Sequence, residues 1–531
     1  MNASAPTARS TSRSGAIVVS LSAAGVVASL MGTLVIPLVA QLPELLDTTA
    51  ANASWVVTAP LLTGAVATPV FGRLGDLYGK RRLLLTCVAL LVAGSLVSAL
   101  SDSLIPMVIG RAVQGIGMGI VPLGISTMRD VVPPERMGTS VALMSSSLGI
   151  GGAFGLPLSA AVAQNTDWHA LFWGSAVISA LIGLAVARFV PSVPPAARGR
   201  FDIPGALGLA AGLVCLLLPV SKGAEWGWTS ATTLGLFVAA VVILLAWGSF
   251  ELRTTDPLVD LRATVRRRVL LTNLASVVIG FAMFAQGLIA PQLLQLPEEL
   301  GYGLGQSMLA AGLWMVPTGL AMMAFSPLGA KLSARSGPRV SLLTGSLIIA
   351  AGYALALPLM GSAPGIMIFS CVVSIGVAFA YGAMPAIIMA SVPGAKTAAA
   401  NGFNALMRSI GLSVASAVVG VILAQMSRNV GGHSVPTENG FRVAAIVGGA
   451  AALAAALLTL AIPRTAAPHS DPEETVGRTA TEPDLAPAAH PSPAAHPASA
   501  PHSSPVAHPA HAPRRHLSPD EKPHLSEGEF T

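Results

Sequence analysis

The sequence predicts an all-α polytopic membrane protein with fourteen transmembrane helices. Apolar residues make up 53% of its 531 residues and charged residues only 10%, whereas a soluble domain carries about 25% charged residues. Apolar runs of about 20 residues, the length that spans a bilayer, follow one another along most of the chain. Lys and Arg are concentrated in alternate loops between these runs, which is the asymmetry that orients membrane helices.

The predicted transmembrane helices form three groups. The first group covers about 16–40, 55–71, 83–100, 104–127, 139–163 and 170–189. Two more helices follow at about 203–221 and 231–250. The third group covers about 269–293, 306–328, 340–360, 366–391, 399–424 and 441–462. Six helices, two helices and six helices indicate two related halves with an insertion between them.

Five segments follow from this grouping. They are a cytoplasmic N-terminal arm 1–14, an N-terminal six-helix half 15–190, two extra central helices with their linkers 191–267, a C-terminal six-helix half 268–462, and a Pro-, Ala- and His-rich cytoplasmic tail 463–531. The tail has too little apolar content to form a core, so we expect it to be disordered. His tracts can chelate metal, but the four evenly spaced His residues of the tail favour a solvated low-complexity segment, and no metal site is predicted. These residues are His490, His496, His502 and His508.

The distribution of charge predicts the orientation of the chain. Only Lys222, Arg428 and Arg442 fall in loops predicted to lie outside, so we place both termini in the cytoplasm and the chain in the plasma membrane. The formal net charge of +6 therefore reflects membrane topology and does not indicate a nucleic-acid surface. The three Cys residues all lie in apolar runs, which makes a disulfide framework improbable.

A basic turn follows the second predicted helix, in the stretch GRLGDLYGKRR from Gly72 to Arg82. Gly72 and Gly79 allow a tight reversal of the chain, and Asp76 and Arg81 place opposite charges in it. A weaker copy occurs in the second half, which indicates an internal repeat. Pro69, Arg73, Leu74, Gly79, Arg81 and Thr86 correspond to Pro327, Lys331, Leu332, Gly337, Arg339 and Thr344.

Arg111 is the most informative charged residue inside a predicted helix. A charge in hydrocarbon costs about 2.5–3.5 kcal/mol on insertion scales, so it usually faces the protein interior and has a role. Gln114 lies on the same helical face. The alternative is an arginine that bonds backbone carbonyls for stability or reaches the membrane interface. For Arg408, in a later helix, the two interpretations have equal weight.

Motifs of other function classes are absent from the sequence. It has no GxxxxGK[ST], HExxH or GxSxG, so neither a nucleotide-driven pump nor an enzyme is indicated. Helical bundles with internal repeats are a common design of carriers. We therefore expect a carrier without a cofactor, driven by an ion gradient.

At these residues the sequence resembles the major facilitator superfamily, specifically its fourteen-helix drug:proton antiporter branch. The resemblance covers about 16–462. GRLGDLYGKRR is similar to the loop signature of that family, which implies a role for Asp76 and Arg81 in the conformational switch. RAVQGIG is similar to its fourth-helix motif, which implies a role for Arg111 in proton coupling. GGAFGLP is similar to its antiporter motif, with Gly152 and Pro157 in place.

Three departures from the family pattern concern the proton carrier and the two motifs. Met31 and Gly32 precede Thr33 where the family usually has an Asp, so the usual membrane carboxylate is missing. Leu156 replaces the Gly before the proline of the antiporter motif, and Ala334 occupies the Asp position of the second turn. Glu44 is the nearest substitute for the missing carboxylate, although a plain loop acid is the favoured interpretation.

The leading hypothesis is export of a hydrophobic or amphipathic small molecule, such as an antibiotic, in exchange for protons, by a monomer. Its predicted cavity is lined by polar groups from both halves. These are Gln114, Gln286, Gln292, Asn404 and Arg408. Two alternatives stay open on sequence grounds: proton-coupled uptake of a nutrient, and a non-transporting membrane sensor built on the same bundle.

Overall fold

The structure, a computed structural model, describes residues 8–38, 41–195, 197, 199–430 and 433–463. Within these ranges, fourteen helices are long and apolar enough to cross a membrane, which confirms the predicted fold class. They are α1 Ala8–Thr33, α2 Trp55–Tyr78, α3 Lys80–Ala99, α4 Leu104–Val131, α5 Pro134–Asn165, α6 His169–Phe189, α7 Ile203–Trp226, α8 Ala231–Arg253, α9 Arg267–Gln295, α10 Met308–Ser336, α11 Pro338–Leu359, α12 Ala363–Met389, α13 Thr397–Gln425 and α14 Glu438–Leu460.

Short elements lie between these helices. In the described residues, three short α-helices and one hairpin occur in the connections: Leu42–Leu45, Ala50–Ala53, Leu261–Thr264, and the antiparallel strands β1 Ser427–Val430 and β2 His433–Pro436. Three single turns of 3₁₀-helix lie there too: Ile36–Leu38, Glu298–Leu300 and Gly394–Lys396. The hairpin was not predicted, although the Gly-Gly pair between its strands in the sequence is a hairpin signal. The predicted tail lies outside the described residues from 464 onward, as do residues 1–7 of the predicted arm.

The outer surface of the bundle is apolar. Val19, Leu184, Leu245 and Leu457 each have more than half of their side chain exposed. A water-soluble protein keeps such patches small, whereas a lipid-facing surface requires them. The apolar exterior and the lengths of the helices together show that the chain is a multi-pass membrane protein.

The two halves, α1–α6 and α9–α14, repeat one another at a detail of packing. Gly79 ends α2 with a φ of 98°, and Gly337 ends α10 with a φ of 87°, a conformation that glycine adopts without strain. Arg81 then donates to the carbonyl oxygen of Ala187 at 2.5 Å, at the end of α6. Arg339 donates to the carbonyl oxygen of Leu460 at 2.6 Å, at the end of α14. Each arginine thus binds the carbonyl end of the last helix of its own half, where a cation is favoured.

The end of the bundle that carries Gly79 and Gly337 is called the basic end below. Several helices continue past the predicted limits there. The second helix was predicted to end near residue 71, and α2 ends at Tyr78. A helix continues as long as its backbone hydrogen bonds do, whether or not its side chains are apolar. The helices therefore extend beyond the apolar runs into polar residues near the membrane surface.

The added pair α7–α8 lies beside the boundary between the two halves. Leu209, Leu213 and Leu217 of α7 pack into one apolar cluster with Ala65 of α2 and Leu406 of α13. The outward side chains of α8 are largely exposed, whereas α7 contacts both halves.

Candidate functional site

The basic ends of α2 and α13 meet at Asp76. Its side chain is fully buried, and its carboxylate accepts from the backbone N–H of Ala398 at 3.3 Å and of Ala399 at 3.0 Å. These N–H groups belong to the first turn of α13, where a helix has no internal acceptors for them. The capping position of α13 itself, Lys396, provides no side-chain cap. Asp76 therefore caps a helix of the opposite half, and its charge is favoured by the helix dipole.

Gly72 has a different role from the predicted one. It lies inside α2 and not in the turn, so only Gly79 makes the reversal. A Cβ at residue 72 would lie 2.6 Å from the carbonyl oxygen of Ala398. Because only a hydrogen fits there, Gly72 allows the start of α13 to approach α2 closely enough for Asp76 to reach it.

Ion pairs surround this α2–α13 junction. Lys80 pairs with Asp130 at 2.6 Å within the N-terminal half. Arg73 of α2 lies 3.9 Å from Asp256, which is in the connection between α8 and α9. Arg129 of α4 donates to the hydroxyl of Thr397. The junction therefore joins the N-terminal half, the connection 254–266 and the C-terminal half.

Lys396 and Asp260 form the corresponding contact on the other side of the connection, at 2.6 Å. Burial acts to raise the pKa of Asp260, but the hydrogen bonds from Lys396 and from the backbone of Ala263 outweigh burial, together with the charges of Lys396 and Arg266. The pKa of Asp260 is consequently held below its ordinary value. The carboxylate is thus kept ionised and bound to the start of α13.

The second half has no equivalent of Asp76. Ala334 occupies that position near the end of α10. The start of α5 lies beside the end of α10, as the start of α13 lies beside the end of α2. A Cβ at Gly138 of α5 would lie 3.9 Å from the Cβ of Ala330, an ordinary apolar contact. The two halves are therefore joined by a buried carboxylate at one boundary and by small apolar residues at the other.

Arg111 lies in α4 with its side chain fully buried. Its Nε donates to the carbonyl oxygen of Val56 at 3.0 Å, and one Nη donates to that of Met31 at 2.8 Å. The same Nη donates to the side-chain oxygen of Gln114 at 2.7 Å. In the described part of the chain, no Asp or Glu forms an ion pair with Arg111. The arrangement matches the alternative of an arginine that bonds backbone carbonyls.

Pro60 explains why a carbonyl is available to Arg111. It lies four residues after Val56 in α2, and because proline has no N–H, the carbonyl of Val56 has no intrahelical donor. Met31 lies in the last turn of α1, where carbonyls also lack such donors. The guanidinium of Arg111 supplies a hydrogen-bond donor to each of these two carbonyls. The proline near the start of the second predicted helix indicates such a free carbonyl from the sequence alone.

Gln114 extends the network to a fourth helix. Its amide nitrogen donates to the hydroxyl of Ser95 in α3 at 2.8 Å. Close packing accompanies the network, since a Cβ at Gly115 would lie 2.4 Å from the carbonyl oxygen of Pro60. Arg111 and Gln114 together therefore connect α1, α2, α3 and α4 in the interior of the N-terminal half.

The antiporter-type residues Gly152 and Pro157 lie on α5, which packs against α10 of the other half. Pro157 is buried and meets Gly312, where a Cβ would lie 2.9 Å from the proline nitrogen. Gly152 has open space around the position of a Cβ. Its neighbour Gly151 faces α1, and a Cβ there would lie 2.4 Å from the carbonyl oxygen of Val26.

This contrast gives a prediction. Gly151→Ala is expected to destabilise the purified protein by about 1–3 kcal/mol, because the methyl group must displace the backbone of α1. Gly152→Ala is the matched control and is expected to melt at the wild-type temperature. Thermal unfolding in detergent measures both variants. Equal melting temperatures for the two would contradict the packing of α1 against α5.

Four of the five polar residues predicted to line the cavity belong to α9 and α13, and the structure spreads them along these two helices. Asn404 of α13 is buried, and its amide donates to Asn273 at 2.9 Å and to Ser276 at 2.6 Å, so it joins α13 to α9. Arg408, one turn later, lies 4.8 Å from the ring centre of Tyr381. Gln286 is buried in α9. Gln292 is exposed, and on a straight helix it lies about 28 Å from Asn273.

A cavity of about 340 Å³ lies at the basic end, beside the α2–α13 junction. Its wall includes charged groups from three parts of the chain, namely Arg73, Asp256, Asp260 and Lys396, as well as Asn273 and Phe403. It was not predicted, because its walls come together only in the folded chain. Glu44, the suggested substitute carboxylate, is exposed in the short helix Leu42–Leu45, away from this end.

The sequence is similar to those of several other proteins over much of its length. It is 22% identical over 383 residues to Multidrug resistance protein 3 of Bacillus subtilis, covering 71% of this chain and 73% of that protein. It is 26% identical over 414 residues to the MFS-type transporter YvkA of the same organism, covering 77% and 90%. It is 29% identical over 312 residues to the multidrug resistance protein B homolog of Mycobacterium tuberculosis, covering 57% of this chain and 56% of that one.

Solved structures share the fold. The human organic anion transporter MFSD10 superposes with a TM-score of 0.61 at 16% identity, covering 84% of this chain and 99% of that one. The proton:xylose symporter XylE superposes with a TM-score of 0.58 at 15% identity, covering 85% and 96%. The family model of the Major Facilitator Superfamily matches residues 21–259 and 272–507. The chain belongs to the major facilitator superfamily of transporters.

Proposed function

We propose that the chain exports a hydrophobic or amphipathic small molecule across the plasma membrane in exchange for protons, by alternating access between its two halves. The α2–α13 junction carries this proposal. A buried carboxylate of one half that caps a helix of the other is a contact that an alternating-access cycle has to break and remake. The multidrug resistance names of several relatives favour export of drug-like compounds.

The proposed orientation places the basic end and both termini in the cytoplasm, because cytoplasmic loops of membrane proteins are rich in Lys and Arg. In this orientation the described conformation is closed towards the cytoplasm. The interiors of the halves contain few ionised groups, which suits a substrate that is neutral or weakly charged. We propose a monomer as the working unit.

Arg111 and Gln114 have a coupling role in this proposal. They connect four helices of the N-terminal half, so a movement of one helix is transmitted to the others. Asp76 and Gly72 control the α2–α13 junction, and Arg81 holds α3 against α6. Gly152 and Pro157 lie on α5, the helix about which the halves turn in this proposal, where it packs against α10.

The test is transport in everted membrane vesicles from a host that lacks its own efflux pumps. Expression of the chain is expected to give accumulation of some members of a chemically broad drug panel inside the vesicles. A protonophore is expected to abolish it. Accumulation that persists with the protonophore would contradict proton coupling, and substrate uptake by whole cells would contradict export. An Asp76→Asn variant, expressed to the same level, is expected to transport more slowly.

A further inference from the structure

Two carboxylates lie against each other at the basic end of the added pair α7–α8. Asp202 caps the start of α7, and one of its oxygens accepts from the N–H of Gly205 at 2.8 Å. Glu251 lies in the last turn of α8, and one of its oxygens accepts from the N–H of Val259 at 2.8 Å. Asp202 is only 8% exposed and Glu251 only 2%, so both acids are removed from water.

The second oxygen of each carboxylate is buried without a hydrogen-bond partner. These two oxygens converge on the same place. A Cβ at Gly205 would lie 2.2 Å from the free oxygen of Asp202 and 3.0 Å from that of Glu251, so both oxygens border the same small space, where the charge of Asp202 acts on Glu251. Each unpartnered oxygen therefore faces the other.

Cations do not compensate these two acids in the described residues. No ion pair there involves Asp202 or Glu251. The charged groups of the elements packed around them are turned to solvent or engaged elsewhere. Arg200, Arg253 and Arg262 are exposed, Arg73 of α2 pairs with Asp256, and Lys396 before α13 pairs with Asp260.

Two ionised carboxylates in such a place would repel each other strongly, and each free oxygen would lack a donor. One proton removes both penalties, because the protonated acid becomes a donor to the carboxylate beside it. We propose that Asp202 and Glu251 form a site that binds one proton in common. The proton comes from water at the basic end and returns to it.

The bound proton has a structural consequence. With the repulsion removed, Glu251 can hold the N–H of Val259, which fixes the connection 254–260 beside α8. That connection places Asp256 next to Arg73 in one half and Asp260 next to Lys396 in the other. Loss of the proton as pH rises is expected to loosen the connection and both of these contacts. The inference goes beyond the proposed export, since it holds whether or not transport is driven by protons.

Infrared titration of the purified full chain tests the site directly. The infrared difference spectrum of wild type minus the Glu251→Gln variant is expected to show the carbonyl stretch of a protonated carboxylic acid. The difference spectrum of wild type minus the Asp202→Asn variant is expected to show the same band. Both substitutions replace the shared proton by an amide N–H and should keep the fold. Glu225→Gln, at the other end of α7, is the control and should leave the band intact. Absence of the band from both differences at every pH would overturn the proposal.

A labelling measurement tests the consequence. A single cysteine is placed at Thr255, which is exposed, after replacement of Cys87, Cys215 and Cys371. The labelling rate of this cysteine is divided by its rate in a second protein that also carries Glu251→Gln. Thiol ionisation changes both rates equally with pH, so it cancels in this ratio. This ratio is expected to rise with pH, because only the first protein loses the proton. A ratio that is constant with pH would contradict the link between the proton and the connection.

Discussion

Arg111→Ala is expected to cost the protein several kcal/mol of stability. The substitution leaves three buried oxygens without their donor, namely the carbonyls of Val56 and Met31 and the amide oxygen of Gln114. Each buried acceptor left unpaired costs about 1–3 kcal/mol. Arg111→Lys is expected to be intermediate, because one ammonium cannot reach the positions that the planar guanidinium serves. Thermal unfolding of the purified protein in detergent measures these differences.

The control for this prediction is Arg442→Ala. Arg442 is half exposed and pairs with Glu438 one turn away, a contact worth at most a few tenths of a kcal/mol. A second substitution separates the carbonyl contact from other effects of losing the arginine. Pro60→Ala restores an N–H to α2 that can reach the carbonyl of Val56. It is expected to recover part of the stability lost in Arg111→Ala. A wild-type melting temperature for Arg111→Ala would contradict a stabilising role.

Asp76→Asn is expected to open the α2–α13 junction. Ala398 and Ala399 donate to different oxygens of the Asp76 carboxylate, so the single asparagine oxygen can accept from only one of them, and its NH2 group faces the other N–H. The hydrogen bond that remains also loses the charge that strengthens it about twofold. A loss of about 1.4 kcal/mol shifts the equilibrium between closed and open junction by about tenfold. After the native cysteines are replaced, spin labels are attached at positions 78 and 394, since Tyr78 and Gly394 are both exposed. Pulsed electron paramagnetic resonance then measures the distance across the junction.

The expected result is a growing population at longer distance in Asp76→Asn. Glu299→Gln removes an acidic group that is exposed at the other end of the bundle, and it should leave the distribution unchanged. An identical distribution for Asp76→Asn and wild type would show that the carboxylate does not hold the junction. Because the label at residue 394 replaces a glycine with open space around it, the label itself should not disturb the contact.

The transmembrane helices could be predicted from the sequence because each one needs a long apolar run, and loops interrupt these runs with charge. The ends were less predictable. Asp76 looked like a turn residue because it is charged and follows Gly72, yet α2 continues past both. Its hydrogen bond to Ala398 spans 322 positions of the chain, and no local pattern encodes such a partner.

The buried polar groups show the same limit. Arg111 was singled out because a charge inside an apolar run is conspicuous. Its acceptors were not predicted, since carbonyls look alike in a sequence, and only Pro60 marks one of them. Glu251 was assigned to the linker because it lies near the end of an apolar run and among charged neighbours. Folding buries it against Asp202, which belongs to the start of a different helix.

Under the proposed alternating access, the unequal boundaries between the halves are expected to determine the direction of motion. Between α5 and α10, glycines allow close packing at several points, including Gly312 at Pro157 and Gly319 near Ala153. Nothing charged has to be separated there. Between α2 and α13, Asp76 must first leave the helix start. The rigid halves are therefore expected to pivot about an axis along α5 and α10, so that the pathway widens on the side where α7 lies. The helix α7 contacts both halves on that side, so we expect it to limit the angle through which they can turn.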